Sequence, residues 1–385
     1  MATKPLKIGI VSANWSLKVH GAAWRRIPGV EVVAICTSRQ ETARAAAAAH
    51  GLRKAYWDHR EMFADPELDI VDVGTRPSIR VPIVRDALLA GKHVYSAIPF
   101  ATSLAEADEL YRLQRERDVV GVVDAQFRWV PAAQQMKAMI DAGFIGNPLG
   151  FNVELFLPLV SNEGRTYAFS AFSPSVDPYY WLAEAGTGAG GWRNFATHAL
   201  LTLSHLLGPV EEITGMIATG VPLWQLPDGT NLKPENEDLG SATVRLTNGA
   251  IGSLQTGWCV PDTEGWRIEL WGDRGRLLLT DPTFGNGVSQ KLYAGDTRLM
   301  PRGQRACAEV PIEARFFSPF AERQIGDAPQ PFAAMDWMFA SMADAVRGCG
   351  AASPSFEEAA AAHRVVEALF VGAAERRSVR VADMI

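Results

Sequence analysis

The chain of 385 residues carries a formal net charge of -6 and is 48% hydrophobic, which allows two packed domains and excludes a disordered or fibrous protein. An acidic balance offers no basic surface to nucleic acid or an anionic membrane, so a small-molecule substrate is the expected partner. Cys36, Cys259, Cys307 and Cys349 form no Cys-x-x-Cys unit, so neither a disulfide framework nor a metal site is expected, and a reducing, cytoplasmic location fits.

Met1 to Pro5 leads into a strand pattern with no signal-peptide sections, and no apolar run reaches the roughly 20 residues of a membrane-spanning helix. From Leu6 to about Val123, short apolar runs alternate with helical patterns, as in βαβ units around a parallel sheet. Strands are predicted at Lys7 to Val11, Val30 to Cys36, Asp69 to Gly74, His93 to Ser96 and Val119 to Val123. Helices are predicted at Arg39 to His50 and Leu104 to Arg117, the second with Thr102 or Ser103 as cap and Glu106 placed for a capping box.

After Pro148 the pattern changes to longer strands with tight turns. Asn248-Gly249, between Ser241 to Leu246 and Ala250 to Thr256, predicts a two-residue hairpin, and Asp273-Arg274-Gly275 separates Trp266 to Trp271 from Arg276 to Thr280. Helices follow at Asn194 to Leu207, Phe332 to Arg347 and Phe356 to Arg376, the last opening on a Ser355 and Glu358 capping box. The expected fold class is α/β plus α+β. A Rossmann-type parallel-sheet domain over 1–126 precedes a second domain over 127–385 with a large, mostly antiparallel sheet, and the C-terminal helix is expected to pack back on the first domain.

A dinucleotide-binding turn usually reads Gly-x-Gly-x-x-Gly, because small residues let the backbone approach the pyrophosphate at a helix N-terminus. Here the turn is Ser12-Ala13-Asn14-Trp15-Ser16-Leu17, with Ser12, Asn14 and Leu17 in the glycine positions. Asn tolerates the left-handed conformation and Ser12, Asn14 and Ser16 can bond phosphate, but Leu17 falls where helix and strand should pack closest. At the end of the second strand Thr37-Ser38-Arg39 stands in place of the carboxylate that accepts from ribose hydroxyls. A guanidinium matches a 2'-phosphate, so NADP(H) is expected before NAD(H); the alternatives are no dinucleotide, with Ser38 and Arg39 merely capping and solvating the next helix.

Gly91-Lys92-His93-Val94-Tyr95-Ser96-Ala97-Ile98-Pro99, Gly74-Thr75-Arg76-Pro77, Ala125-Gln126-Phe127-Arg128, Ile140 to Gly146 and Gly190 to His198 occur in this order. Together they resemble the glucose-fructose oxidoreductase, inositol dehydrogenase and rhizopine-catabolism group, Gfo/Idh/MocA. Members usually read Glu-Lys-Pro where this chain reads Ala97-Ile98-Pro99, so the proton-exchanging lysine position holds isoleucine. The resemblance implies that an Asp and a His four residues apart on a helix assist the lysine. Here they correspond to Asn194 and His198, a spacing that shares a helix face.

On this resemblance Ser12, Asn14, Trp15, Thr37, Ser38, Arg39, Thr75, Arg76, Ile98 and Pro99 are the expected cofactor contacts. Gln126, Arg128, Tyr180, Trp181 and Arg193 are the expected substrate contacts. His198 is the candidate acid/base in place of lysine, Asn194 an orienting or oxyanion-stabilising amide, and His205 a structural residue. Aromatics between Phe151 and Trp192, including Tyr167, Phe169, Phe172 and Tyr179, either line a sugar or aromatic pocket, with Arg128, Arg165 or Arg193 for a carboxylate, or pack a loop upon itself.

The resemblance also implies a homodimer or homotetramer formed through the outer face of the antiparallel sheet, for which Ile268, Leu270, Leu277 and Leu279 supply apolar strand faces. Three functional readings remain open. One is an NADP(H)-dependent oxidoreductase on a sugar-, cyclitol- or aromatic-type alcohol or carbonyl. The others are a redox-neutral lyase, epimerase or hydrolase, and a non-catalytic dinucleotide-sensing protein.

Overall fold

Short runs buried on both faces form a parallel sheet in a computed structural model that describes residues 4–157, 180–225, 230–260, 265–282, 289–296, 307–320 and 333–384. Its strands are β1 (Leu6–Val11), β2 (Val30–Cys36), β3 (Lys54–Tyr56), β4 (Ile70–Val73), β5 (His93–Ser96) and β6 (Gly121–Val123). Their order, β3-β2-β1-β4-β5-β6, reverses direction between β1 and β4, and that switch opens a crevice at the carboxyl ends of the strands.

Helix α1 begins as a π-helical turn, Ser16–His20, and continues as Gly21–Trp24. It is followed by α2 (Gln40–His50), α3 (His59–Phe63), α4 (Pro77–Leu89) and α5 (Leu104–Glu116). Ser103 caps α5 by accepting from the Glu106 amide at 3.3 Å. The expected box is not reciprocal there, because the Glu106 carboxylate accepts instead from the Thr102 amide at 3.0 Å and its hydroxyl at 2.5 Å.

A 3-10 turn, Gln126–Trp129, leads from β6 into α6 (Pro131–Asp141) and then β7 (Pro148–Phe156). A second π turn, Trp192–Ala196, runs into α7 (Thr197–Leu207). Then come β8 (Val210–Ala218), the paired short strands β9 (Trp224–Gln225) and β10 (Asn231–Leu232), β11 (Leu239–Leu246), β12 (Ile251–Gly257), β13 (Trp266–Gly272), β14 (Gly275–Asp281), β15 (Lys291–Asp296) and β16 (Ala308–Val310). Helices α8 (Ala333–Val346) and α9 (Phe356–Glu375) and strand β17 (Val379–Arg380) complete the described chain. The large sheet has nine strands in the order β16-β15-β14-β13-β7-β12-β11-β8-β17, antiparallel except where β12 pairs with β7.

The β11–β12 turn is longer than the predicted two residues. Gly249 takes φ 90° while Asn248 does not, and the Asn248 side chain accepts from the Ala250 amide at 3.0 Å and donates to the Leu207 carbonyl at 2.8 Å. Ile268, Leu270, Leu277 and Leu279 are wholly buried in the chain's own core, so they offer no surface to a second copy. The other face of these strands carries Glu154, Arg267, Glu269 and Arg276 as a ladder of ion pairs, as period-2 alternation requires.

Helices near the C-terminus pack on the parallel-sheet unit. Phe339 of α8 stacks on Trp24 of α1 at 3.9 Å, and Arg26 donates to the fully buried Asp336 at 2.6 and 2.8 Å. At the start of α9, where the Ser355 and Glu358 capping box forms as predicted, Phe356 lies where a side chain on Gly121 would stand. Among the described residues, Arg26→Ala leaves Asp336 with only the Ser318 hydroxyl as partner, and is expected to cost about 3–5 kcal/mol in urea unfolding. Replacing both partners, Arg26→Met with Asp336→Leu, is expected to recover most of that loss.

Candidate active site

The crevice is entered first by the β1–α1 turn. Ser12 adopts φ 106°, the conformation that the first glycine of a dinucleotide turn normally supplies, and its hydroxyl accepts from the Asn14 amide at 3.4 Å. Leu17, expected to obstruct the close approach of helix and strand, is instead 1% exposed and packed in the core beside Gly21 and Ile10. The closest approach falls one residue earlier. Ser16 is buried so tightly against Gly74, at the end of β4, that any Cβ there would overlap its hydroxyl. The work of a glycine in the turn is thus done by the facing strand, and the wide π turn leaves Leu17 room to point inward.

Around this crevice several buried polar atoms have no hydrogen-bond partner: Asn14 Oδ1, Ser16 Oγ, Thr75 Oγ1, Gln126 Oε1 and His198 Nδ1. Such atoms cost free energy unless a ligand or water satisfies them. They come from the β1–α1 turn, the end of β4, the segment after β6, and α7, which is the path a dinucleotide takes across a switch point. The residues present fit that group. At the end of β2, Thr37 Oγ1 donates to the Arg39 carbonyl at 2.9 Å and meets Thr42 Oγ1 at 2.6 Å, whereas Ser38 and Arg39 are exposed. Arg39 occupies the N-cap of α2 without a side-chain cap bond.

Ile98 is 8% exposed and belongs to the apolar core. Pro99 and Thr75 are tied together by buried Arg80, whose guanidinium donates to both carbonyls and so joins the loops after β4 and β5. Burial lowers the Arg80 pKa to about 9, opposed by the nearby Asp124 charge. Arg76 is half-exposed with Glu184 3.7 Å away.

His198 lies in α7 at 7% exposure, its ring 4.5 Å from that of Phe127 and 6.3 Å from that of Phe195. Burial lowers its pKa to about 4 against the raising effect of Asp124, so at neutral pH the ring is neutral. Asn194 is half-buried on the π turn just before α7. Beside that turn Glu237 accepts from the Arg193 amide at 3.2 Å, and burial raises its carboxyl to about 7.

Two expected substrate residues are engaged elsewhere. Arg128 donates to Glu358 of α9 at 2.7 and 2.8 Å and lies 3.2 Å from His205 Nδ1, so the structure makes it an internal tie and gives His205 a structural partner. Arg193 pairs with Glu367 and covers the Phe370 ring, also on α9. Long flexible cations next to an acidic helix face find partners within the fold that sequence order does not reveal. Gln126 is 4% exposed and faces inward, and Trp181 is half-buried. The Tyr180 side chain, and Arg165, Tyr167, Phe169, Phe172 and Tyr179 entirely, lie outside the described residues.

Sequence reasoning missed the most strongly charged element of the site. His20 of α1 is fully buried, with Nδ1 3.1 Å from both Asp72 oxygens and Nε2 3.0 Å from Asp124 Oδ2. Trp24 donates to Asp72 at 2.9 Å and Tyr95 to Asp124 at 2.8 Å. Burial pushes the imidazole down, but Asp72 and Asp124 together override it and raise it to about 10. The signal was present: Asp72 interrupts Ile70-Val71-Asp72-Val73, a strand otherwise wholly apolar and buried. Among the described residues, no group of three His, Cys, Asp or Glu side chains is placed to hold a metal.

These shifts set the pH response. A His20 held charged to about pH 10 stabilises the fold fully below the unfolded imidazole's 6.5, and that contribution disappears as pH rises toward 10. His198, His205 and His363, lowered by burial to about 4, 3 and 3, stabilise above 6.5 and lose that as pH falls through 4 and 3. Urea unfolding is expected to show a maximum near neutrality, and His20→Gln is expected to flatten the fall between pH 7 and 9.5.

The family model described as the oxidoreductase family with an NAD-binding Rossmann fold matches residues 6–125, and the model of a GFO/IDH/MocA C-terminal domain matches residues 133–278. The chain is 31% identical over 285 residues to D-apiose dehydrogenase of Rhizobium rhizogenes, covering 66% of this chain and 73% of the relative. It is 24% identical over 273 residues to levoglucosan dehydrogenase of Pseudarthrobacter phenanthrenivorans, covering 65% and 67%. A solved structure of levoglucosan dehydrogenase in complex with NADH and L-sorbose superposes with TM-score 0.82 at 21% identity, covering 98% of this chain and 99% of that one.

Proposed function

The chain belongs to the Gfo/Idh/MocA oxidoreductase family, and on that premise we propose that it is an NADP(H)-dependent dehydrogenase of a sugar or cyclitol. The observation that carries this reading is the row of partnerless buried polar atoms along the crevice, ending at His198 Nδ1. Relatives named for D-apiose and levoglucosan support a polyhydroxylated substrate. Exposed Arg39, without a carboxylate at 37–39, supports a 2'-phosphate.

Ser12, Asn14, Trp15 and Ser16 would hold the pyrophosphate, Ser38 and Arg39 the adenosine end, and Thr75, Arg76, Ile98 and Pro99 the nicotinamide end. When bound, the dinucleotide supplies the hydride acceptor or donor. His198, neutral at working pH, takes the substrate hydroxyl proton on Nδ1, and the Asn194 amide orients that oxygen. Ile98 contributes an apolar wall and no proton. It also favours a second reading, dinucleotide sensing without turnover.

Calorimetric titration is expected to show tighter binding of NADP(H) than NAD(H), with Arg39→Ala weakening NADP(H) by about 10- to 100-fold, the worth of a charge-assisted bond. Equal affinities, or no binding, would overturn the cofactor assignment. In a screen of sugars and cyclitols with NADP+, His198→Gln is expected to lower kcat by about 10²- to 10⁴-fold. Binding with no turnover of any member of the screen would select the sensing role.

A further inference from the structure

Protonating a buried imidazole requires a counter-charge. Around His198 stand the rings of Phe127 and Phe195, which offer none. Asp124 follows directly on β6, its amide bonded to the Ser96 carbonyl of β5 at 2.8 Å, three residues before Phe127. The 3-10 turn that carries Phe127 against the His198 ring thus begins two residues after Asp124. Resting on the dehydrogenase reading above, we propose that Asp124 is the positioning carboxylate for His198, held ionised by a buried row, Asp72–His20–Asp124, that spans the floor of the crevice.

Both Asp124 oxygens are fixed, Oδ1 by the Tyr95 hydroxyl at 2.8 Å and Oδ2 by His20 Nε2 at 3.0 Å, so the carboxylate cannot rotate away. His20 is in turn held from its other nitrogen by Asp72, which Trp24 also grips. The groups around the row are His20 and Trp24 from α1, Asp72 from β4, Tyr95 from β5 and, through charge alone, Arg80 from α4 and His198 from α7, while α8 contributes the uncharged Phe339 and Met338. Two carboxylates share one imidazolium, so the row keeps a net negative charge while His198 is uncharged, and a protonated His198 would meet that charge. Its electrostatics agree, for Asp124 is held below the usual carboxylate range despite burial, with the charge of His20 the largest favourable influence.

In alcohol oxidation the carbinol C–H and O–H bonds break and C=O forms. The hydride carries two electrons to an oxidised nicotinamide dinucleotide, and the hydroxyl proton goes to His198 Nδ1, later leaving to water. With such a dinucleotide bound to accept the hydride, the proton taken up would leave a new positive charge on the His198 imidazole, and Asp124 would meet it through space. Asp124 touches no reacting atom; it lowers the cost of the imidazolium.

The test uses full-length apo protein with ring-labelled histidines. NMR is expected to show His20 carrying both ring protons at pH 9. Asp124→Asn should return its titration toward neutral pH and move the His198 ring signals while leaving those of His205 and His363 in place. With a substrate from the screen, Asp124→Asn is expected to lower kcat by about 10²-fold or more with KM little changed, and Asp124→Glu to restore part of it. If Asp124→Asn does not fold, His20→Gln, which keeps the carboxylate but frees it, should move the His198 signals in the same way. The proposal is overturned by a wild-type His20 that titrates near 6.5, or by His198 signals and kcat indifferent to these changes. The NMR arm needs no turnover, so its failure is distinct from failure of the dehydrogenase reading; turnover with unmoved His198 signals would sink the row alone.

Discussion

A charged imidazole, fully buried and clamped between two carboxylates, is the constraint around which this crevice is built. Asp72 on β4 and Asp124 after β6 both reach His20, so one side chain of α1 binds together the strand at the topological switch and the edge strand of the parallel sheet. Buried like charges from β4 and the end of β6, two strands apart, repel, and only a cation between them makes the arrangement tolerable. The aromatic walls, Trp24, Tyr95 and Phe339, exclude water and keep those interactions strong. Because Phe339 belongs to α8, the far end of the chain seals the site's floor.

The same helix explains how a turn without glycines can still approach a phosphate. Close approach needs small volume somewhere at the contact, and Gly74 on β4 supplies it where Ser16 presses in. Ser12 takes a left-handed φ that glycine would take at lower cost, a local strain of the kind found at ligand sites. Arg80 then ties the next two loops by their carbonyls, so the β4 and β5 ends of the crevice move as one piece. What remains unsatisfied is a set of buried polar atoms on the β1–α1 turn, after β4, after β6 and on α7.

Much of this architecture could be read along the chain, because each cue was local. Alternating short apolar runs gave five of the six strands of the parallel sheet within one or two residues at each end and missed only the three-residue β3, and the Ser355 and Glu358 box marked the start of α9 correctly. His198 and Asn194 stood out through the family resemblance, with a spacing that shares a helix face. The arginines were misjudged for the opposite reason. Arg128 and Arg193 meet Glu358 and Glu367 across separations of 230 and 174 residues, and no local pattern announces such partners. Likewise Ile268 and its neighbours read as an apolar face, and only the packing shows that the face turns inward.

Hydrophobic period, capping residues and turn dipeptides act over a few positions, so the sequence by itself determined the elements, their order and the family they resemble. Charge and hydrogen-bond partnership act across space, so only the tertiary structure decided which ionisable groups meet. It placed His20 between carboxylates 52 and 104 residues away, made that imidazole a lasting cation, and left His198 neutral. An imidazole's protonation state is set by its surroundings, and those surroundings exist only once distant strands and helices have packed.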